Sequence, residues 1–104
     1  MRERAGRPPR LDDDFASAVP FSLMAALQGG AELEFRTLRR ILQAERSPFS
    51  GAIMMLENEG HVAVRRPSFG ETGTWVSATA EGRAAFAAHL AALGVIAGDG
   101  SRRR

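Results

Sequence analysis

The sequence contains no cysteine among its 104 residues, which excludes disulfide bonds and thiolate-based metal or redox sites. It has no apolar run near the ~20 residues that a membrane-spanning helix needs, and residues 1–10 lack the apolar core of a signal peptide. A chain of this length has room for one domain. We therefore expect a single cytoplasmic domain.

Lysine is also absent, so arginine supplies all 14 basic side chains. The net charge is only +2, which excludes a strongly basic protein that coats nucleic acid. Any attraction to an anionic partner therefore depends on where the arginines lie.

Only two histidines are present, His61 and His89. Neither lies near a cysteine, a carboxylate pair or a nucleophile motif in the sequence, and no glycine motif for phosphate follows a strand into a helix. We therefore predict no enzyme activity, no cofactor and no metal. We expect His61 at the surface or at a strand edge, and His89 at a contact between subunits.

Both ends of the chain are rich in arginine. Residues 1–11 are predicted to form a disordered basic arm, residues 12–97 the folded domain, and residues 98–104 a flexible basic tail. The two ends are either solvated tails or arms that contact phosphate. The acidic run at residues 12–14 is interpreted as capping a helix N-terminus rather than as a cation site.

The stretch SPFSGAIMMLENEG, residues 47–60, has the pattern of a short amphipathic helix. Ser47 is a candidate N-cap, Pro48 suits the first helical position, and Gly60 is a candidate C-cap. The residues predicted on its buried face recur at helical spacing and are Phe49, Ile53 and Leu56.

Other elements follow from caps, periodicity and turn residues. The prediction places helices at residues 13–19, 20–28, 36–44 and 80–93, a very short strand at 33–35, and strands at 61–66 and 74–79. Helix 36–44 should bury Leu38, Ile41 and Leu42. Thr79 should cap the last helix. Strand alternation places Val62 and Val64 inward and Arg65 outward, and Trp75 should pack the hairpin onto the body.

The order of a capped helix, a hairpin and another helix resembles the winged-helix DNA-binding domains of bacterial transcriptional regulators, close to the MarR and ArsR groups. The segments LENEGHVAVRR and SATAEGRAAF carry the resemblance, which covers about residues 20–93. It implies a mainly α fold with a small antiparallel β wing, a winged helix-turn-helix. It also implies a transcriptional regulator that binds double-stranded DNA through a recognition helix at 47–59 and a wing at 61–79.

In such a fold the second helix of the pair enters the major groove and the first crosses the phosphate backbone. The predicted phosphate contacts are Arg36, Arg39, Arg40, Arg46, Arg65 and Arg66. The predicted contacts from the outer face of the recognition helix and from the wing are Ser47, Ser50, Gly51, Met54 and Thr72. The first two turns of this helix carry no arginine, lysine or glutamine that could read a base with two hydrogen bonds.

The last helix is unusually rich in alanine, and the apolar residues near both ends exceed what a small domain easily covers. We therefore predict a homodimer. Its expected interface comprises Phe15, Val19, Phe86, His89, Leu90 and Leu93. Two alternatives stay open: a protein-interaction module that uses the methionines of helix 47–59, and a sensor for an unknown small-molecule effector.

Overall fold

The computed structural model describes residues 10–70 and 72–102. Residues 1–9 of the predicted arm and residues 103–104 of the predicted tail lie outside this range. A 3-10 turn at Asp13–Phe15 precedes four helices and three strands. In chain order they are α1 (Ala18–Ala26), β1 (Leu33–Glu34), α2 (Phe35–Leu42), α3 (Arg46–Asn58), β2 (Val62–Arg65), β3 (Trp75–Ala78) and α4 (Ala80–Arg102).

The N-terminal segment departs from the predicted pair of helices. The 3-10 turn is capped by Asp12, whose side chain accepts a hydrogen bond from the Asp14 backbone N–H at 2.9 Å, so capping by the acidic run is confirmed here. Helix α1 begins at Ala18, two residues before the predicted start at Pro20. Pro20 occupies the first turn, where backbone N–H groups have no acceptor within the helix and a missing donor costs little.

Helices α2 and α3 form a helix-turn-helix pair around shared apolar side chains. Phe35 and Phe49 meet edge to face with ring centroids 4.9 Å apart, and Leu38 is fully buried beside them. Ile41 was expected in this core, but it is 58% exposed, so that prediction is wrong. The turn between the helices begins with Gln43 in the left-handed conformation at φ 54°.

Helix α3 starts one residue earlier than its predicted cap. Glu45 is the N-cap residue, without a side-chain capping bond, so the prediction that Ser47 caps this helix is wrong. The other end matches a Schellman motif, because the N–H groups of Gly60 and His61 donate to the carbonyls of Glu57 and Leu56. Gly60 has a φ of 81°, the left-handed conformation predicted from its position after the helix.

The three strands form one antiparallel sheet in the order β1–β3–β2. Val62 is buried and Val64 is half-buried against the core, whereas Arg65 is exposed, as the alternation predicts. Trp75 is half-buried opposite Arg65 in the register. The prediction of a mainly α fold with a small antiparallel wing is confirmed.

Helix α4 is capped as predicted, since the Gly82 N–H donates to the Thr79 hydroxyl at 2.8 Å. It continues to Arg102, well beyond the expected end near Leu93, so residues 98–102 of the predicted tail are helical. Among the residues described, no helix is both long and apolar enough to cross a membrane.

The start of α4 packs closely on the backbone of His61, in the turn between α3 and β2. A Cβ added at Gly82 would overlap the His61 carbonyl oxygen and lie 2.7 Å from its carbon. The same carbonyl accepts a hydrogen bond from the Thr79 N–H at 3.0 Å. Position 82 therefore requires glycine for space, because the neighbouring atoms belong to the backbone.

Candidate nucleic-acid interface

The arginines of α2 lie along one shallow groove with Gln43 and Ala44. Arg36 and Arg40 are exposed, and their side chains make no ion pair with any residue in the described ranges 10–70 and 72–102. Arg39 is half-buried, and its Nε donates to the Ala44 carbonyl at 3.0 Å. Two α2 guanidinium groups are therefore available to an anion, while Arg39 also stabilises the turn.

The outer face of α3 presents small side chains. Arg46, Ser47 and Gly51 are exposed, and Ser50 is half-buried. Met54 is 61% exposed, and a Cβ at Gly51 would meet no atom within 4 Å. No packing contact within the described chain therefore requires glycine at position 51, and this face of α3 can approach a partner closely.

Both predicted phosphate contacts in the wing are already paired with carboxylates. Arg65 donates from Nε and Nη2 to the two Glu32 carboxylate oxygens at 3.0 Å each. Arg66 donates from Nη1 and Nη2 to the Glu57 oxygens at 3.2 Å each. The Arg65 guanidinium also lies 5.7 Å from the centre of the Trp75 ring.

These pairs shift the titration of the groups involved. The hydrogen bond from Arg65 lowers the pKa of Glu32, and the hydrogen bond from Arg66 lowers the pKa of Glu57. The hydrogen bond to Glu57 raises the pKa of Arg66. Each wing arginine commits two N–H donors to a carboxylate that offsets its charge, and no spacing in the sequence indicated these partners.

The wing tip instead presents an aromatic side chain. Phe69 is fully exposed, at 104% of its reference accessible area, and Gly70 follows it at a φ of 81°. Thr72, also predicted to contact DNA, is exposed in the same loop. The segment 67–70 carries no charged residue.

His61 is buried rather than at the surface, so the expectation of a surface or strand-edge residue is wrong. Its Nε2 lies 3.0 Å from the Asp14 carboxylate, and its ring centroid lies 4.9 Å from that of Phe15. Its Nδ1 is buried without a hydrogen-bond partner among the described residues. His61 follows Gly60 as the last residue of the Schellman motif, a position whose side chain commonly packs back onto the helix, and this signal could have predicted its burial.

His89 is buried as well. Its Nδ1 accepts a hydrogen bond from the Asp12 backbone N–H at 3.0 Å, which requires that this nitrogen carry no proton. The two histidines together hold residues 12–14 against the end of α3 and the middle of α4.

Asp12, Asp14 and His61 also form a cluster with donor atoms within 4.8 Å of one another. The contacts already described account for it, since Asp12 caps the 3-10 turn and Asp14 contacts His61. The histidine lacks the outer hydrogen bond that metal-ligating histidines usually make, so the geometry gives a metal no specific support.

The residues predicted at a dimer interface separate into two groups. Phe15, Phe86 and His89 are buried within the chain's own core and are not on a free surface, which corrects their assignment. Leu90 and Leu93 are exposed on α4. Val19 is half-buried against the core.

A second groove runs between the N-terminal segment, the start of α1 and the middle of α4. It has a volume of about 590 Å³ and is mainly apolar, with Phe15, Phe21 and Leu93 among its lining residues. Asp12 and Asp13 also line it.

A profile of the winged helix DNA-binding domain matches residues 19–96. A comparison with curated proteins finds no match.

Solved structures with a similar fold include transcriptional regulators. A transcriptional regulator homologue from Pyrococcus horikoshii OT3 superposes with a TM-score of 0.77 at 19% identity, covering 83% of this chain and 86% of that protein. BpsR from Bordetella bronchiseptica, whose DNA binding is regulated by 6-hydroxynicotinic acid, gives a TM-score of 0.70 at 18% identity over 86% of this chain and 67% of BpsR. A MarR-family regulator from Silicibacter pomeroyi gives 0.62 at 24% identity over 71% of this chain and 49% of that one. The chain spans about half to two thirds of the length of further matching proteins. The TM-scores show a shared fold, and at identities this low the similarity extends to the fold alone.

Proposed function

Because the chain belongs to the winged helix DNA-binding domain family, we propose that it is a transcriptional regulator, not an enzyme, and that it grips duplex DNA with α2, α3 and the wing. The observation that carries the proposal is the open outer face of α3 beside the available arginines Arg36, Arg40 and Arg46. A helix with small outer residues can enter the major groove while the arginines contact phosphates on its flank. A regulator of this kind acts on the chromosome, so a cytoplasmic location is part of the proposal.

The experiment is DNA selection with the full-length protein from a random pool, followed by affinity measurements at two salt concentrations. Arg40→Ala should weaken binding to every duplex and flatten the salt slope by about one unit. Arg83→Ala is the matched control, since it removes an equal charge from α4. If Arg40→Ala and the wild-type protein show the same salt dependence of DNA affinity, Arg40 does not contact phosphate.

Ser50 is the proposed contact with base edges. Ser50→Ala should blunt discrimination between selected and random sequences while leaving the salt slope unchanged, because no charge is lost. An unchanged sequence preference would exclude Ser50 from readout.

A homodimer is part of the proposal. Helix α4 carries four exposed large apolar residues, Leu90, Leu93, Val95 and Ile96, on a helix that extends about 35 Å. Two copies joined there would place two α3 helices on successive major grooves and favour a palindromic site with half-sites ~10 bp apart. Leu93→Glu should yield monomers in sedimentation velocity, whereas Ala91→Glu, an equal charge elsewhere on α4, should not. Monomeric wild-type protein would refute this part.

The groove beside α4 favours one second candidate, a regulator whose DNA binding responds to a small molecule, as described for BpsR. Its volume and apolar lining suit a small ligand. The carboxylates of Asp12 and Asp13 favour a neutral or cationic ligand over an anionic one. A thermal-shift comparison of 6-hydroxynicotinic acid with its neutral amide would test this: we expect stabilisation by the amide alone, and stabilisation by the acid alone would contradict the argument.

The protein-interaction alternative has Met54 as its strongest support, since this side chain is exposed where a base-reading residue is expected. It predicts equal affinity for every duplex and protection of Met54 from oxidation by a protein partner. A selected DNA sequence that protects Met54 would instead support the regulator.

A further inference from the structure

Phe69 is exposed to a degree that no other large apolar side chain in the described residues approaches. Leu11, Ile41, Met54 and the residues of α4 are between about one third and two thirds exposed, whereas Phe69 is fully exposed. A large aromatic ring in water gains nothing for the fold, so its contribution to the free energy of unfolding is small. The whole ring is therefore accessible to a partner.

The wing that carries Phe69 is braced on both sides. The Arg66–Glu57 pair joins the exit of β2 to the last turn of α3, and the Arg65–Glu32 pair joins β2 to the segment before β1. Each pair is held by two parallel hydrogen bonds, which fix orientation as well as distance. The position of the hairpin is therefore tied to that of α3.

The paired arginines also change what the tip can do. Arg65 and Arg66 already bind carboxylates, and the wing loop that follows them contains no basic residue. Phe69 projects from its uncharged segment, Pro67 to Gly70, which precedes Glu71 in the sequence. An apolar projection gains little from phosphates. It gains most from an unstacked base step, where apolar side chains such as phenylalanine act as wedges from the minor groove.

We propose that Phe69 inserts as a wedge at a base step in the minor groove next to the major groove occupied by α3, and that it kinks the duplex there. This inference rests on the proposed function. It also adds a source of sequence preference to the weak direct readout proposed for Ser50 of α3, because pyrimidine–purine steps unstack most easily. The preferred site then contains a flexible TA or CA step at a fixed distance from the α3 contact.

The experiment compares full-length wild-type protein with Phe69→Ala, Phe69→Leu and, as the control at another exposed apolar side chain, Leu11→Ala. Each protein is titrated at two salt concentrations against an end-labelled duplex taken from the selection, and energy transfer between the ends reports bending. Because Phe69 is fully exposed, neither substitution at Phe69 should change the melting temperature.

Phe69→Ala should weaken binding about tenfold, the range of one lost aromatic–base stacking contact, and should abolish the bend. The salt slope should not change, because no charge is removed. Phe69→Leu should keep part of the bend, since leucine also serves as a wedge. Leu11→Ala should bind and bend DNA as the wild-type protein does.

The outcomes separate the two proposals. A wild-type protein that fails to bind every duplex overturns the proposed function itself. A wild-type protein that binds selected DNA, with an equal bend and affinity for Phe69→Ala, overturns only the wedge. A Phe69→Ala protein that sediments as a smaller species would place Phe69 between two copies of the chain and would also overturn the wedge.

Discussion

Substitution of Gly82 by alanine tests how the start of α4 is held against the turn between α3 and β2. In an open helix the change should stabilise the protein by up to about 1 kcal/mol, because alanine has the higher helix propensity. Here the added Cβ overlaps the His61 carbonyl oxygen, and neither atom can rotate away, because the carbonyl is backbone and the backbone fixes the Cβ position. Helix α4 must therefore move.

That movement has a countable cost. It breaks the hydrogen bonds from the Thr79 N–H to the His61 carbonyl and from the Thr79 hydroxyl to the Gly60 carbonyl, and it disturbs the capping bond to the Gly82 N–H. At about 1 kcal/mol for each hydrogen bond and about 1 kcal/mol for the cap, the loss is about 3 kcal/mol. Less the propensity gain, the free energy of unfolding should fall by about 2 kcal/mol, which lowers the melting temperature by roughly 10 °C.

The assay is urea unfolding followed by circular dichroism, with Gly51→Ala as the matched control. Gly51 lies within α3, has no neighbour within 4 Å of a new Cβ and has no left-handed φ, so alanine there should stabilise the protein by up to about 1 kcal/mol. The free energy of unfolding should therefore fall with Gly82→Ala and rise with Gly51→Ala. A Gly82→Ala protein as stable as Gly51→Ala would refute the close approach of α4 to His61.

Three further predictions concern α3 and the ion pairs of the wing. Gly51→Ala, although stabilising, should weaken DNA binding in a filter assay, since the new methyl group faces the partner; unchanged affinity would place Gly51 away from DNA. Glu57→Gln should raise affinity for every duplex and steepen the salt slope by about one unit, because Arg66 loses its carboxylate; an unaltered slope would show that Arg66 stays away from phosphate. The wing pairs should stabilise the fold slightly at neutral pH and lose that effect as the pH falls through the lowered pKa values of Glu32 and Glu57. The benefit belongs to the ionised carboxylates, whose pKa values the arginine hydrogen bonds lower in the folded state. Urea titrations of the wild-type protein and the Glu57→Gln variant should therefore differ at neutral pH and converge in acid, and a difference that grows in acid would contradict this sign.

Local signals in the sequence predicted the helix-turn-helix and both wing strands to within about two residues. Apolar spacing places Phe49, Ile53 and Leu56 on one face, and Gly60 ends the helix in the left-handed conformation that it alone adopts without strain. These features depend on residues close together in the chain, which explains why they could be predicted without an alignment.

The features that the sequence did not predict are ion pairs between residues far apart in the chain and the continuation of helix α4 beyond Leu93. Glu32 lies 33 residues from Arg65, and no spacing rule connects them. The last helix was expected to end near Leu93. Neither Gly94 nor Gly98 takes a positive φ, so the helix continues through both. A glycine is a cap only if the chain turns there, and the sequence alone does not decide this.

Helix α3 has few side chains that can read bases, and the other groups on the proposed DNA surface indicate how the protein still selects a sequence. Arg36 and Arg40 of α2 and Arg46 of α3 supply charge, which binds all duplexes alike, and Ser50 supplies only weak direct readout. The two wing arginines are neutralised by carboxylates, so they position the hairpin rather than add affinity. Discrimination then depends mainly on how easily the duplex deforms under Phe69, an energy that varies between base steps. Such a protein should tolerate changes at bases under α3 better than changes at the kinked step, which is the reverse of what direct readout by a recognition helix requires.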